Sequence, residues 1–299
     1  MNSLIAPRST HKRLFNPVGF FLLLIRFNIL DFYLRHLSHT HFPQLNRMAS
    51  YFITGTSRGV GLKLAEILAA KPASEVSVVF AAARTETQAL KDLASKSDGR
   101  IQIVSIDITS EQSVKQAASK VEQSLGDKGL DVLINNAGVM NYTPDGIETM
   151  TDLESSFITN VTSAHLVTSA LLPLLKKGNL KKVANISTTL GSIGMASTYS
   201  LFPVPAYKVS KAALNMLTVQ YAQSFADQGF SIFSLSPGWV QTDLGGASAD
   251  LTIDQSADAV LDVVFRADKQ ANGKFFNIRV AGWEKAEGLN QYDGAEPSW

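Results

Sequence analysis

Tyr207 and Lys211, in the run Tyr207-Lys208-Val209-Ser210-Lys211, stand at a spacing that can make an acid–base group of a phenol. Residues i and i+4 share one face of a helix. A free phenol, with a pKa of about 10, exchanges its proton poorly near neutrality, and a neighbouring ammonium favours the phenolate and lowers that value. Lys208 is offset from this face, and Tyr199 has no Lys four residues on. Y-x-x-x-K alone occurs in many bland amphipathic helices, so its weight depends on what accompanies it. Upstream, Lys182-Val183-Ala184-Asn185-Ile186-Ser187 reads as a strand that runs into Thr188-Thr189, bringing hydroxyls to its end. Asn160 lies 24 residues after Asn136, in a helical stretch where a polar amide needs a reason.

A second constellation handles phosphate. The strand Tyr51-Phe52-Ile53-Thr54 leads into Gly55-Thr56-Ser57-Arg58-Gly59-Val60-Gly61. Glycines after a strand and before a helix permit a tight turn and let an anion approach bare backbone, while the helix N-terminus offers unpaired N–H groups. A purely structural turn would also use such glycines. The identity of the nucleotide follows from the second strand. An NAD site carries an acid about 20 residues on, bonded to the ribose 2′-OH. Here the strand ends Ala81-Ala82-Ala83-Arg84, with Arg84 placed 23 residues past Gly61. Arg pairs with a 2′-phosphate in a fork, and Arg58 adds a second cation. The expected cofactor is NADP(H); the alternative is a pair of solvated surface arginines.

Short apolar runs alternate with helical stretches from residue 48 to about 290. Strands are expected at 51–54, 76–82, 101–106, 131–134, 182–187, 230–235 and 274–278, with helices at 61–70, about 85–95 and 153–175 among them. Near-continuous apolar strands are covered on both faces. Alternation with helices implies a parallel sheet with right-handed crossovers. The fold class is α/β: a single doubly wound, Rossmann-like parallel sheet of about seven strands with helices on both faces. Ligands bind such sheets at the carboxyl ends of the strands.

The T-G-x-x-x-G-x-G spacing resembles the short-chain dehydrogenase/reductase family, and six further motifs extend the likeness over about 240 residues. These are Asp107-Ile108 after the third strand, Asn135-Asn136-Ala137-Gly138 after the fourth, Asn160, the hydroxyl-ended strand, and Tyr207 with Lys211, followed by Ser236-Pro237-Gly238-Trp239-Val240-Gln241-Thr242. The R-G-V-G loop and Gly191-Ser192-Ile193 are most similar to the C-factor/sniffer carbonyl-reductase branch and to fungal ketoreductases. The resemblance implies a cofactor held by Gly55, Thr56, Ser57, Arg58, Gly59, Val60, Gly61, Arg84, Asp107, Ile108, Asn136, Ala137, Gly138, Tyr207, Lys211, Pro237, Gly238, Val240 and Thr242. It implies catalysis by an Asn–Ser–Tyr–Lys set, carried here by Asn160, Thr188 or Ser187, Tyr207 and Lys211. Alignment on Gly191 places the orienting hydroxyl on Thr188, where the family usually has Ser; adjacent Ser187 should face the other way. Asn160 would hold a water that passes protons through Lys211.

The implied reaction is NADPH-dependent reduction of a ketone or aldehyde. Met140, Tyr142, Met195, Phe202 and Trp239 suggest a small apolar or aromatic carbonyl, with ordinary core packing as the alternative. The extra residues around 195–205 should shape the pocket, and the Gly245-Gly246 stretch reads as a mobile lid. An epimerase would need a larger C-terminal substrate region than the roughly 20 residues after the last strand. A catalytically weak NADP-binding regulatory protein of the same fold is the alternative from another class, and Thr188 is its foothold. The family often forms dimers or tetramers through the helices carrying Asn160 and Tyr207, although the first of these helices could instead be buried internally.

Composition narrows the rest. The chain is 45% hydrophobic and 18% charged, with no Cys and a net charge of +1. Disulfides, thiolate catalysis and Cys-ligated metals are thereby excluded, no metal site is expected, and no basic field points to nucleic acid. A chain without Cys suits the cytoplasm. Residues 1–47 carry six Lys or Arg, one acid (Asp31) and four of the five His. Their apolar run 18–25 is too short to span a bilayer, which needs about 20 residues. This head is read as a leader ahead of the 48–299 catalytic domain, with a targeting or membrane-surface segment as the alternative. Any membrane contact is assigned to it.

Overall fold

The computed structural model describes residues 48–299, and the readings of residues 1–47 lie outside the described residues. Seven parallel strands form one sheet in the order β3-β2-β1-β4-β5-β6-β7. They are β1 (Ala49–Thr54), β2 (Val76–Ala83), β3 (Ile101–Ser105), β4 (Val132–Asn135), β5 (Lys182–Ile186), β6 (Ser231–Ser236) and β7 (Phe275–Asn277). The long helices are α1 (Gly59–Ala70), α2 (Gln88–Ser95), α3 (Glu111–Leu125), α4 (Leu153–Lys177), α5 (Pro205–Ser224) and α6 (Ile253–Arg266). Expected and observed strand ends differ by one or two residues, as element ends usually do.

Alternation within the strands distributes the core. Tyr51 and Ile53 of β1 pack on one face against Leu64 and Leu68 of α1, Leu90 of α2 and Val260 of α6. Phe52, between them, points to the other face, against Val114 and Val121 of α3 and Leu171 of α4. Period-2 side chains on a strand covered by helices on both sides produce this near-continuous apolar sequence. Helix α4 is long and apolar enough to cross a membrane by composition, but Val167, Leu171, Leu174 and Leu175 are buried in the core.

One buried carboxylate ties the far end of the sheet. Asp131 accepts hydrogen bonds from Ser50 N (3.0 Å), Ser50 Oγ (3.1 Å) and Asn179 N (2.8 Å). Removing it leaves the backbone N–H groups of Ser50, Asn179 and Leu180 without their acceptor. Asp131→Ala is therefore expected to lower unfolding free energy by about 3 kcal/mol, read from the midpoint of urea denaturation at unchanged slope.

Candidate active site

A cavity of about 1230 Å³ runs along the carboxyl ends of the strands. Drug-sized ligands occupy pockets of roughly 300–1,000 Å³, so there is room for a dinucleotide and a second small molecule. Its floor begins where β1 ends. Gly55 (φ +73°) and Gly59 (φ +60°) make the turn into α1. A Cβ on Gly61 would stand 2.3 Å from the Gly55 carbonyl oxygen and 2.5 Å from Asn136 Nδ2, so only glycine lets the helix start this close to the loop. No side chain caps α1, and its first turn holds no acid. Its N-terminal N–H groups and dipole are left for an external anion, which fits a pyrophosphate. Asn136 braces the loop by donating from Nδ2 to the Thr54 carbonyl at 2.8 Å, while Thr54 Oγ1 accepts from the amides of Asn136 and Ala137.

Ser57, Arg58, Gly59, Val60 and Gly61 line the cavity, but Thr56 does not. Thr56 is fully buried and its hydroxyl donates to the Ala82 carbonyl at 3.2 Å, tying the loop to β2. Arg84, Asp107 and Ile108 lie together at one end of the cavity. Asp107 accepts from both Thr109 N and Thr109 Oγ1, and these bonds, with the nearby Arg84 charge, hold its carboxyl below the usual range. The N-cap of α3 is Ser110. Arg58 faces Asp243 across the cavity mouth at 3.0 Å, both side chains 75% exposed. Such a surface pair is worth at most about 1 kcal/mol, so a phosphate can displace it.

At the other end α5 presents Tyr207 and Lys211 to the cavity on one face, with Nζ 5.7 Å from the phenol ring centre. Both are almost fully buried. Burial pushes the Tyr207 phenol up and pulls the Lys211 ammonium down to about 8. The neighbouring ammonium is expected to lower the phenol, but loss of hydration in the cleft acts the other way and raises it. Tyr207 keeps its proton at neutral pH, and Lys211 Nζ donates to the Ile186 carbonyl at 2.7 Å.

Ser187 and Thr188 both line the cavity, but their hydroxyls differ. Ser187 Oγ donates to Asn215 Oδ1 at 2.6 Å, which commits its proton. Thr188 Oγ1 accepts from Leu190 N at 3.2 Å, which leaves its own O–H free. Asn160 sits in a π turn (Ile158–Thr162) within α4 and does not line the cavity. Its Oδ1 accepts from Val139 N (2.9 Å), and its Nδ2 donates to the Val139 carbonyl and Ser210 Oγ, both at 3.0 Å. Both amide protons are spent inside the protein. The side-chain amide thus braces the Gly138-Val139 turn against α5.

The short chain dehydrogenase family model matches residues 50–251. The chain belongs to the short-chain dehydrogenase family. An uncharacterized oxidoreductase of Schizosaccharomyces pombe is 34% identical over 247 residues, covering 76% of this chain and 94% of that protein. Among solved structures, the NADPH-bound carbonyl reductase from chicken fatty liver superposes with a TM-score of 0.74 at 31% identity. The carbonyl reductase Sniffer of Drosophila melanogaster gives 0.73 at 30%. Each covers 85% of this chain and is itself covered completely.

In this short-chain dehydrogenase the walls beyond Tyr207 include Met140, Tyr142, Phe202 and Trp239, as expected, but Met195 lies outside the lining. Phe202 meets Trp239 edge to face at 6.0 Å. Gly138, Pro237, Gly238, Val240 and Thr242 all border the cavity. The Gly245-Gly246 stretch, read as a mobile lid, is tied back: Trp239 Nε1 donates to the Gly245 carbonyl at 2.7 Å, and Gly245 N donates to Thr242 Oγ1 at 3.1 Å. Three contributors escaped the sequence reading. Asn215, one turn beyond Lys211, was recoverable as a buried amide on the same helix face. Asn290 and Tyr292 carried no local signal, because only the return of the chain past β7 brings them here.

Proposed function

We propose that this chain is an NADPH-dependent carbonyl reductase in which Tyr207 is the proton donor, Thr188 the orienting hydroxyl and Lys211 the group that recharges Tyr207. The observation that carries the reading is a buried, protonated phenol beside a buried lysine at one end of a cleft whose other parts suit a phosphorylated dinucleotide. Gly55 to Gly61 would hold the pyrophosphate, Arg84 and Arg58 a 2′-phosphate, Asp107 and Ile108 the adenine, and Asn136, Ala137, Gly138, Pro237, Gly238, Val240 and Thr242 the remaining length. When bound, the cofactor supplies a hydride to the carbonyl carbon. The chain's own residues handle the oxygen. Thr188 and Tyr207 donate hydrogen bonds to it and polarise the C=O bond, and Tyr207 then gives up its proton as negative charge develops. Lys211 returns a proton to Tyr207. Asn160 and Asn215 position the helix and strand end that carry these groups.

The relatives named carbonyl reductases support the reaction class, and the aromatic walls support a small apolar or aromatic carbonyl as substrate. Exposed Val209 and Met216, seven residues apart on α5, support a homodimer formed through that helix, which sedimentation at micromolar concentration would detect. The activity is tested by mixing protein and NADPH with ketones, aldehydes and quinones and following loss of the reduced-nicotinamide absorbance. No turnover with any of them would sink the reading and favour a cofactor-binding regulatory role.

The pH dependence carries a further expectation. Lys211 titrates at about 8 in the free protein, so it is charged below that pH and neutral above it. kcat/KM for NADPH, which reports the free enzyme, should be level below pH about 8 and fall above it. Lys211→Arg should lose this break, because a guanidinium does not titrate there.

A further inference from the structure

The segment after β7 folds back along the sheet edge, with Asn277 N donating to the Ala295 carbonyl and Gly294 N to the Ile278 carbonyl. It then touches three parts of the cleft that are distant in sequence. Tyr292, 3% exposed, lies beneath the Pro237-Gly238-Trp239 turn and accepts from Trp239 N at 3.1 Å. A Cβ on Gly238 would come within 3.0 Å of the Tyr292 ring, so the turn rests directly on it. The Tyr292 hydroxyl donates to Asp250 Oδ2 at 2.5 Å, and Asn290 Nδ2 donates to the same oxygen at 2.7 Å. Asn290 Oδ1 in turn receives Tyr199 Oη at 3.4 Å, from the aromatic loop opposite. Farther along, Ser192 Oγ donates to the Ser298 carbonyl at 2.6 Å and Gly194 N to the Trp299 carbonyl at 2.8 Å.

We propose that Asp250, Asn290 and Tyr292 form a positioning clamp that locks the Pro237–Trp239 wall and the Tyr199–Phe202 wall into one register and thereby sets which face of a carbonyl meets the hydride. The inference rests on the carbonyl-reductase reading above. Asp250 does not line the cavity, whereas Asn290 and Tyr292 do, so Asp250 acts through its partners. One carboxylate oxygen taking two short hydrogen bonds is a charge-assisted junction. Its two donors lead to opposite walls, so neither wall shifts without straining the other. Burial and the adjacent Asp250 carboxylate keep the Tyr292 phenol protonated, which preserves the donor throughout the neutral range.

The test compares wild type with Tyr292→Phe, Asp250→Ala and Asn290→Ala in the full chain. Acetophenone is the prochiral probe, and KM, kcat, the ratio of alcohol enantiomers and NADPH affinity are measured. Tyr292→Phe and Asp250→Ala should each raise the ketone KM about tenfold, equivalent to about 1.4 kcal/mol or one buried hydrogen bond. Each should also shift the enantiomer ratio, with any loss of NADPH affinity smaller than the rise in ketone KM. The double variant should match the worse single one, since both cut the same network. A lower kcat with unchanged KM and enantiomer ratio would reduce the residues to a structural role and overturn the clamp. Hydrogen exchange gives a readout that needs no turnover. In Asp250→Ala, amides at 237–241 and 198–202 should speed up together, and a rise in only one segment overturns the proposal. Wild type inert toward carbonyls but coupled in exchange would instead locate the failure in the activity reading.

Discussion

Tyr207→Phe is expected to lower carbonyl reduction by about 10²–10⁴-fold, the range for losing a positioned proton donor, while NADPH still binds and protects against thermal unfolding. The substitution removes one oxygen from a side chain that is 8% exposed and whose hydroxyl has no hydrogen-bond partner among the described residues, so the fold loses little. What disappears is a buried phenolic proton that no other residue of the site holds. Ser187 cannot replace it, because its hydroxyl is engaged by Asn215. Thr188 can polarise the carbonyl but is too weak an acid to complete the transfer. The decisive measurement is single-turnover decay of bound NADPH with saturating ketone. A variant retaining most of the wild-type rate would remove Tyr207 from the mechanism, whatever the cofactor affinity.

Arg84→Asp should reverse the cofactor preference. The wild type is expected to favour NADPH because a guanidinium at the end of β2 can grip a 2′-phosphate in a fork, worth about 1.5–3 kcal/mol for a charge-assisted contact. The carboxylate would repel that phosphate and accept a hydrogen bond from the bare ribose of NADH. The ratio of kcat/KM values, NADPH over NADH, should drop by about a hundredfold or more. Because Arg84 is exposed, the wild-type preference should also shrink as salt rises and screening shortens the reach of the charge. Equal use of both cofactors by wild type, untouched by the substitution, would show Arg84 to be a solvated surface residue. The Arg58–Asp243 pair makes a related point: Arg58 starts out bridged to Asp243, so it has to exchange one anion for another.

Much of this was legible in the residues alone, because it depends on rules that act over a few positions. Alternating strands and helices specify a doubly wound sheet, since each apolar strand needs cover on both faces, while the strand order comes from the structure. Glycines at 55, 59 and 61 announce the cradle because no other residue permits that turn and that approach. Tyr207 and Lys211 share a helix face by spacing alone. The tertiary structure decided matters that turn on which way a side chain points and on what it meets from far along the chain. Thr56 looks like a phosphate ligand until its hydroxyl is found on Ala82. The side chain of Asn160 braces Val139 and Ser210, partners 21 and 50 residues away that no spacing rule names. Ser187 and Thr188 are neighbours with the same functional group, and only Asn215, 28 residues away, separates a committed proton from a free one. Asn290 and Tyr292 enter the site through backbone pairing beside β7, a contact no local pattern encodes. The Tyr207 acidity followed burial rather than spacing, because desolvation depends on the whole surrounding shell, while the i to i+4 rule sees only one neighbour.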